Sequence, residues 1–464
     1  MATPEATRNY FKRLAHKEIP VHSIRDFGKT GWQVSSIGFG GYRIRHDSAE
    51  HARALRYALL NGFNLIDTSS NYGDGGSEML IGNLLHEMFE RDEVHRDEIV
   101  LVSKVGYIQG QNLRLVQDAE ARGQPFPEVV EYADGCWHCI HPEFLEDQLS
   151  RSLERLNLPS LDVYLLHNPE YFLADAQKRG ELDLAAARER YFMRIGEAFR
   201  WMEEKVAEGK IKAYGISSNT FPAAADDFEF TSLEEALRAA ETIAEDHHFQ
   251  VIQFPFNLFE PAACTRKNQA NGGKTLLELA RERNLATLAN RPLNAMVNGG
   301  MVRLASFARS DPQDIRQEFD KYLAILSDLE SRFTADLLPG LPDDLSKDAL
   351  MQVFSLSQQL SNALEMFPSW EHWDHVRQNY LMPQSYATLS YLDQKLAENP
   401  AWASWSRAYA EALLVFLENI TRKYENDAQK RSVQIERQLD SLDASLRDSE
   451  TLSQKALQVL TSVP

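Results

Sequence analysis

The chain has 464 residues, 43% of them hydrophobic, with 68 acidic against 49 basic side chains and a formal charge of −19. This length exceeds one small domain and leaves room for a large α/β barrel plus a further segment. The acidic balance argues against nucleic acid or a membrane as partner; with three cysteines, no signal-type leader and no apolar run of bilayer length, a reducing, cytoplasmic setting is expected.

Along the chain, "VHSIRDFG" and "WQVSS" read as a hairpin turned by "GKTG", and "SIGFGG" (36–41) as a first strand. "DSAEHARALRYALLNG" (47–62) reads as a helix capped by Asp47, with Glu50 at capping-box spacing and Gly62 at its end. "FNLID" is a second strand, followed by the helix "SEMLIGNLLHEMF". "EIVLVSKVG" gives a third strand ending at Lys104, and "PEFLEDQLSRSLERLN" a helix with Pro142 in its first turn. Strand four is "LDVYLLH", strand five "IKAYGISSN", strand six "FQVIQFPFN" and strand seven "LATLANRPL", with helical periods between them. Continuously apolar strands alternating with helices imply a parallel sheet covered on both faces. Seven such units favour a (β/α)8 TIM barrel of α/β class over a doubly wound sheet, and no Gly-x-Gly-x-x-Gly turn follows the first strand.

After Met301 the strand-like runs give way to helical periods. Ile315, Phe319, Tyr322, Leu326, Leu329 and Phe333 recur at steps of three and four, as do Trp402, Trp405, Tyr409, Leu413, Phe416 and Ile420. At that spacing the aromatics read as core. The expected organisation is a barrel over 1–302, an all-α insertion over 303–450, and a last barrel helix over 451–464. No eighth strand is visible, so the barrel is expected to lack it, with either a continuation past Pro464 or another segment filling the gap.

The ends of the strands face the active site in a TIM barrel. They carry Asp67 with Tyr72 in the loop behind it, then Lys104, His167, Ser217, Ser218, Asn219, Gln253, Asn290 and Arg291. Asp67, Tyr72, Lys104 and His167 form a workable set. A buried ammonium at Lys104 favours the phenolate of Tyr72 and lowers its pKa, Asp67 offsets the cost of burying Lys104, and His167 orients a carbonyl oxygen. Taken singly, His167 also reads as a satisfied core histidine and Asp67 as a turn cap.

"DTSSNYG", "VSKVG", "LLHNPE", "YGISSN" and "QFPFN", in this order, resemble the motifs of the aldo-keto reductases over about residues 22–295. The resemblance implies reduction of an aldehyde or ketone by direct hydride transfer from NADP(H), with NAD(H) as the alternative. It makes Tyr72 the proton donor, Lys104 and Asp67 its tuning pair, and His167 the carbonyl-orienting group. It places Ser217, Ser218, Asn219 and Gln253 at the nicotinamide. The family's Gly-Val-Ser-Asn stands here as Gly215-Ile-Ser-Ser-Asn219, so either Ser218 or Asn219 takes the asparagine's place. Asn290 occupies the position of a stacking tyrosine, and Arg291 either reaches a pyrophosphate or pairs with an acid. The other reading is a non-catalytic, nucleotide-sensing or regulatory protein on the same scaffold, with the helical insertion as a surface for a protein partner.

"CWHCIH" (136–141) has Cys-x-x-Cys spacing with His138 and His141 beside it, but no second ligand pair exists. No metal is expected there; a structural loop before Pro142 is.

Overall fold

The computed structural model describes every residue except 18, 298, 299, 308, 309, 343 and 464. It divides into two units, one of residues 1–292 with 461–464 and one of residues 293–460.

The first unit opens with α1 (Pro4–Arg13), which has Pro at its first turn and the Thr3 side chain as N-cap. A hairpin of β1 (Ile24–Asp26) and β2 (Gln33–Ser35) follows. Then come β3 (Phe39–Gly40), α2 (Ala49–Leu60), β4 (Leu65–Asp67), α3 (Gly76–Glu90) and β5 (Val100–Val105). The loop after β5 carries β6 (Tyr107–Ile108), α4 (Gly110–Ala121), β7 (Val130–Ala133) and β8 (Cys136–His138). The chain continues through α5 (Pro142–Leu156), β9 (Leu161–His167), α6 (Tyr171–Arg179), α7 (Leu184–Ala207), β10 (Ile211–Ser217), α8 (Leu233–Ile243) and β11 (Phe249–Pro255). It closes with α9 (Ala262–Thr265), β12 (Lys267–Gln269), β13 (Lys274–Thr275), α10 (Leu276–Glu282) and β14 (Ala286–Asn290).

Seven strands form one parallel sheet in the order β14-β11-β10-β9-β5-β4-β3, so each strand lies beside its predecessor and a helix covers each crossover. This is the curled α/β sheet of a (β/α)8 barrel with seven strands among the described residues. Side chains alternate across a strand, so one set points into the curl. That set is Leu65, Val100, Val102, Val163, Leu165, Ala213, Val251, Ala286 and Leu288, closed below by Ala2, Phe27, Trp32 and Val34. Gly215 sits at a register shift between β10 and β11, where an added Cβ would lie 1.7 Å from the Val251 carbonyl oxygen. Only glycine lets the two backbones approach that closely.

Two local expectations are corrected. The cap of α2 is Ser48, whose Oγ accepts from the His51 N–H, and the Asp47 carboxylate pairs instead with Arg45. A cap must be the last non-helical residue, and the helix begins one position later than the sequence reading placed it, which also removes Glu50 from the capping-box position. Second, Cys136–His138 is not a loop but the central strand of a three-stranded antiparallel sheet with β6 and β7. No group of metal-binding side chains occurs there among the described residues.

The second unit opens with a hairpin of β15 (Asn294–Val297) and β16 (Gly300–Arg303), which the periodicity did not foresee. Helices follow: α11 (Pro312–Arg332), α12 (Lys347–Val353), α13 (Leu356–Ala363), α14 (Trp370–Val376), α15 (Met382–Lys395) and the 43-residue α16 (Pro400–Leu442). Their core gathers Phe333, Phe354, Trp373, Trp402, Trp405, Tyr409 and Phe416. The unit boundary falls within α17 (Leu452–Ser462). No described helix is long and apolar enough to cross a membrane.

Candidate active site

The polar rim follows from the same alternation that builds the core. Two residues beyond Leu65 stands Asp67; two beyond Val102, Lys104; two beyond Leu165, His167; two beyond Val251, Gln253; and two beyond Leu288, Asn290. Each is an inward position at or near the C-terminal end of its strand, where an apolar layer gives way to the open end of the curl.

Lys104 is wholly buried, and its Nζ donates to Asp67 Oδ2 at 2.7 Å, to the Thr68 carbonyl at 2.9 Å and to Tyr72 Oη at 3.2 Å. The ammonium also lies 4.7 Å from the centre of the Tyr72 ring. Asp67 Oδ1 accepts from Gln253 Nε2 at 2.9 Å, and Gln253 Oε1 accepts from Ser217 Oγ at 3.0 Å. Asp67, Tyr72, Lys104, Gln253 and Ser217 are therefore one hydrogen-bonded network. His167 joins through its ring, edge-on to Tyr72 at 5.9 Å between centroids.

Burial opposes the charge on Lys104, but Asp67 and Tyr72 outweigh it and hold its pKa above the ordinary value, so the ammonium persists. For Tyr72 the balance runs the other way from the sequence expectation. Desolvation raises the phenol above its ordinary pKa, and the opposing pull of Lys104 only moderates the rise. The side chain is a neutral hydroxyl in the resting site. Desolvation, with the charge of Lys104 and then His138, drives the imidazole of His167 well below its usual pKa, so it is uncharged.

Other sequence-selected residues fall differently. Ser218 Oγ is turned away from the rim, bonded to Thr220 and Thr231 Oγ1 at 3.1 Å each. Asn219 is exposed and lines a cleft with Pro222, Pro255, Phe259 and Glu260. Arg291 donates to Glu260 Oε1 at 2.7 Å, so in this state it pairs with an acid. Asn290 Oδ1 is buried with no hydrogen-bond partner among the described residues.

Three contributors were missed. Ser69 Oγ lies 3.1 Å from His167 Nδ1 and 2.7 Å from Asn71 Oδ1. Its position inside "DTSSNYG", where the resembled pattern has alanine, was the available signal. Tyr107 stands edge-on to His167 with 4.7 Å between ring centroids, and its neighbour His138 holds the His167 carbonyl through Nε2 at 2.7 Å. Glu170, three residues past His167, is 1% exposed; its Oε1 accepts from the Asn219 N–H at 2.8 Å, while Oε2 is buried with no hydrogen-bond partner among the described residues. Glu170 closes the quoted motif "LLHNPE", but nothing in local sequence pattern marks Tyr107, whose neighbours come from other segments.

Comparison with known proteins gives one consistent result. The family model "Aldo/keto reductase family" matches residues 36–334. Aldo-keto reductase YhdN of Bacillus subtilis is 24% identical over 313 residues, covering 65% of this chain and 73% of that protein. The NADPH-dependent D-xylose reductase of Meyerozyma guilliermondii is 24% identical over 49% of this chain and 60% of its own length. Aldose reductase C of Dictyostelium discoideum is 29% identical, and this chain spans about half of it, 49%. Among solved structures, aldo-keto reductase AKR11C1 from Bacillus halodurans (holo form) aligns with a TM-score of 0.40 at 18% identity, covering 72% of this chain and 82% of that one. The model match, spanning well over half of the chain, establishes it as a member of the aldo/keto reductase family of oxidoreductases.

Proposed function

We propose that this chain reduces an aldehyde or ketone to the alcohol, using NADPH, with NADH as the alternative donor. The observation that carries the reading is the Tyr72–Lys104–Asp67 chain, with an uncharged imidazole beside it.

The rim fits a nicotinamide nucleotide. Among the described residues Asn290 Oδ1 lacks a donor of the kind an amide or hydroxyl supplies, and Asn219 and Arg291 border the same open end. Ser217, Asn219, Gln253 and Asn290 would hold the nicotinamide end, and Arg291, on release from Glu260, a phosphate. When bound, the nicotinamide supplies the hydride. The protein's own part is the proton. His167 is uncharged, and with Ser69 Oγ donating to its Nδ1 in place of Asn71 Oδ1 it would present Nε2–H to the substrate oxygen. Tyr72 keeps its O–H until the oxygen gains negative charge and then gives it up, and the ammonium 3.2 Å away stabilises the phenolate left behind. Asp67 keeps that ammonium charged and in place.

The test is direct. NADPH titrated into the full chain should quench its fluorescence to saturation, and an added aldehyde should then consume the NADPH. Tyr72→Phe should leave the titration intact and slow consumption about 10²–10⁴-fold. Saturable binding with no consumption of any aldehyde would support the non-catalytic, nucleotide-sensing reading instead.

A further inference from the structure

Glu170 takes no part in the proton transfer proposed above, yet it is fastened to the strand end placed at the nicotinamide. It stands in the turn from β9 into α6. Asn168 of that turn takes a left-handed φ of +51°, which asparagine tolerates, and its N–H donates to the Ser217 carbonyl at 2.7 Å. Two residues on, Glu170 Oε1 accepts from the Asn219 N–H at 2.8 Å. One turn therefore holds the end of β10 on both sides of Ser218. Glu170 Oε2 is left buried with no hydrogen-bond partner among the described residues.

The surroundings of this carboxyl supply no positive charge. The titratable side chains that act on it are Tyr107 on β6, Tyr171 on α6, Tyr191 on α7 and Glu229 before α8, all neutral or anionic. No ion pair involves Glu170 among the described residues. A carboxylate formed there is a buried charge without a partner. Burial pushes the group up to about 7, against the pull of the Glu170 and Asn219 main-chain amides and the Ser218 hydroxyl. A cation brought to the same strand end would supply the missing partner. The two forms of a nicotinamide nucleotide differ in that respect: the oxidised ring is positively charged and the reduced ring is neutral.

We propose that Glu170 is a positioning residue that holds the end of β10 for the nicotinamide and, as a carboxylate, favours the oxidised nucleotide over the reduced one. The inference rests on the nucleotide site of the reductase reading and adds a discrimination between its two redox forms. A proton leaves Glu170 for solvent when the oxidised form binds, and none leaves it for the reduced form. The oxidised form therefore gains affinity as pH rises through the titration of Glu170, and the reduced form does not.

The experiment is calorimetric titration of the full chain with NADP+ and with NADPH, in two buffers of different ionisation enthalpy, which counts the protons released. The two nucleotides carry the same phosphates, so phosphate titration cancels in the difference. At pH 7, NADP+ should release about 0.4 proton more than NADPH, the linkage expected when the Glu170 pKa falls by about one unit. From about pH 5.5 to about pH 8.5, the affinity for NADP+ relative to NADPH should rise about eightfold. Glu170→Ala should weaken both nucleotides about fivefold, the worth of one hydrogen bond. Glu170→Gln, which keeps an acceptor for the Asn219 N–H, should restore NADPH affinity but abolish the extra proton and flatten the pH profile. Equal proton release by the two nucleotides, or an extra proton that survives in Glu170→Gln, would overturn the discrimination and leave the nucleotide site standing. Unchanged affinities in Glu170→Ala would overturn the positioning role. Binding of neither nucleotide by the parent chain would overturn this inference and the reductase reading together.

Discussion

Lys104 is the residue on which the site turns. A wholly buried ammonium survives only with compensation, and Asp67, the Thr68 carbonyl and Tyr72 occupy its three protons. The sequence showed the lysine at a strand end and the carboxylate at another, but the sign of the Tyr72 shift needed the burial of the phenol, which no local pattern encodes. The proposed chemistry tolerates the raised value, because an acid that stays protonated until the oxygen becomes basic is still an acid when needed. Ser69 is the residue-scale prediction. It bonds the Nδ1 of His167, and the partner of one imidazole nitrogen fixes which tautomer the other presents. Ser69→Ala should lower kcat about tenfold, with KM for NADPH unchanged, and should move the imidazole 15N shifts of His167, the range seen when such outer partners are removed. Unchanged 15N shifts would show that Ser69 does not set the tautomer.

At the scale of elements, strand parity explains why the site residues were legible. Asp67, Lys104, His167, Gln253 and Asn290 each continue an inward apolar series by one step of two, and that period is written in sequence. Register between strands is not, and it is register that brings Ser217 beside both His167 and Gln253. Caps show how local signals can also mislead by one position. Asp47 and Ser48 are both good capping residues, but only Ser48 bonds a free helix N–H. Ser48→Ala should destabilise the protein by about 1 kcal/mol, whereas Asp47→Ala, removing an exposed pair with Arg45, should leave stability essentially unchanged. Denaturant midpoints would rank the two, and the reverse order would reject the assigned cap. The strand at Cys136–His138 is the opposite case: its partners Tyr107–Ile108 and Val130–Ala133 are separated by a helix, so pairing could not be read from "CWHCIH" itself.

For the whole molecule, buried titratable groups set the dependence of stability on pH. Burial pulls His138 down to about 4 and His167 well below its usual value, so the unfolded chain takes up protons first. Their contribution is present above about pH 6.5 and is lost as pH falls toward about 4. Glu170 acts oppositely. Burial pushes its carboxyl up to about 7, so the folded state holds a proton that the unfolded chain releases near its ordinary 4.5, and that contribution is present at low pH and lost as pH rises through about 7. Between about pH 4.5 and 6.5 the two trends oppose. Glu170→Gln should therefore lose stability more steeply than the parent on acidification through this window, and should be at least as stable as the parent at pH 8. Thermal melts across the range measure both, and parallel curves would exclude Glu170 as a titrating group.

The sequence by itself determined the alternation of strand and helix, the inward polar position at each strand end, the change to helical periods after Met301 and the family's ordered motifs. These are local or periodic properties, set by side-chain direction along one strand or helix. Only the tertiary structure decided that Tyr72 is raised rather than lowered, that Ser69 reaches His167, and that Ser218 faces away while Glu170 holds Asn219. Each of those depends on burial or on a contact between segments far apart in the chain, and neither quantity has a signature in the residues that flank it.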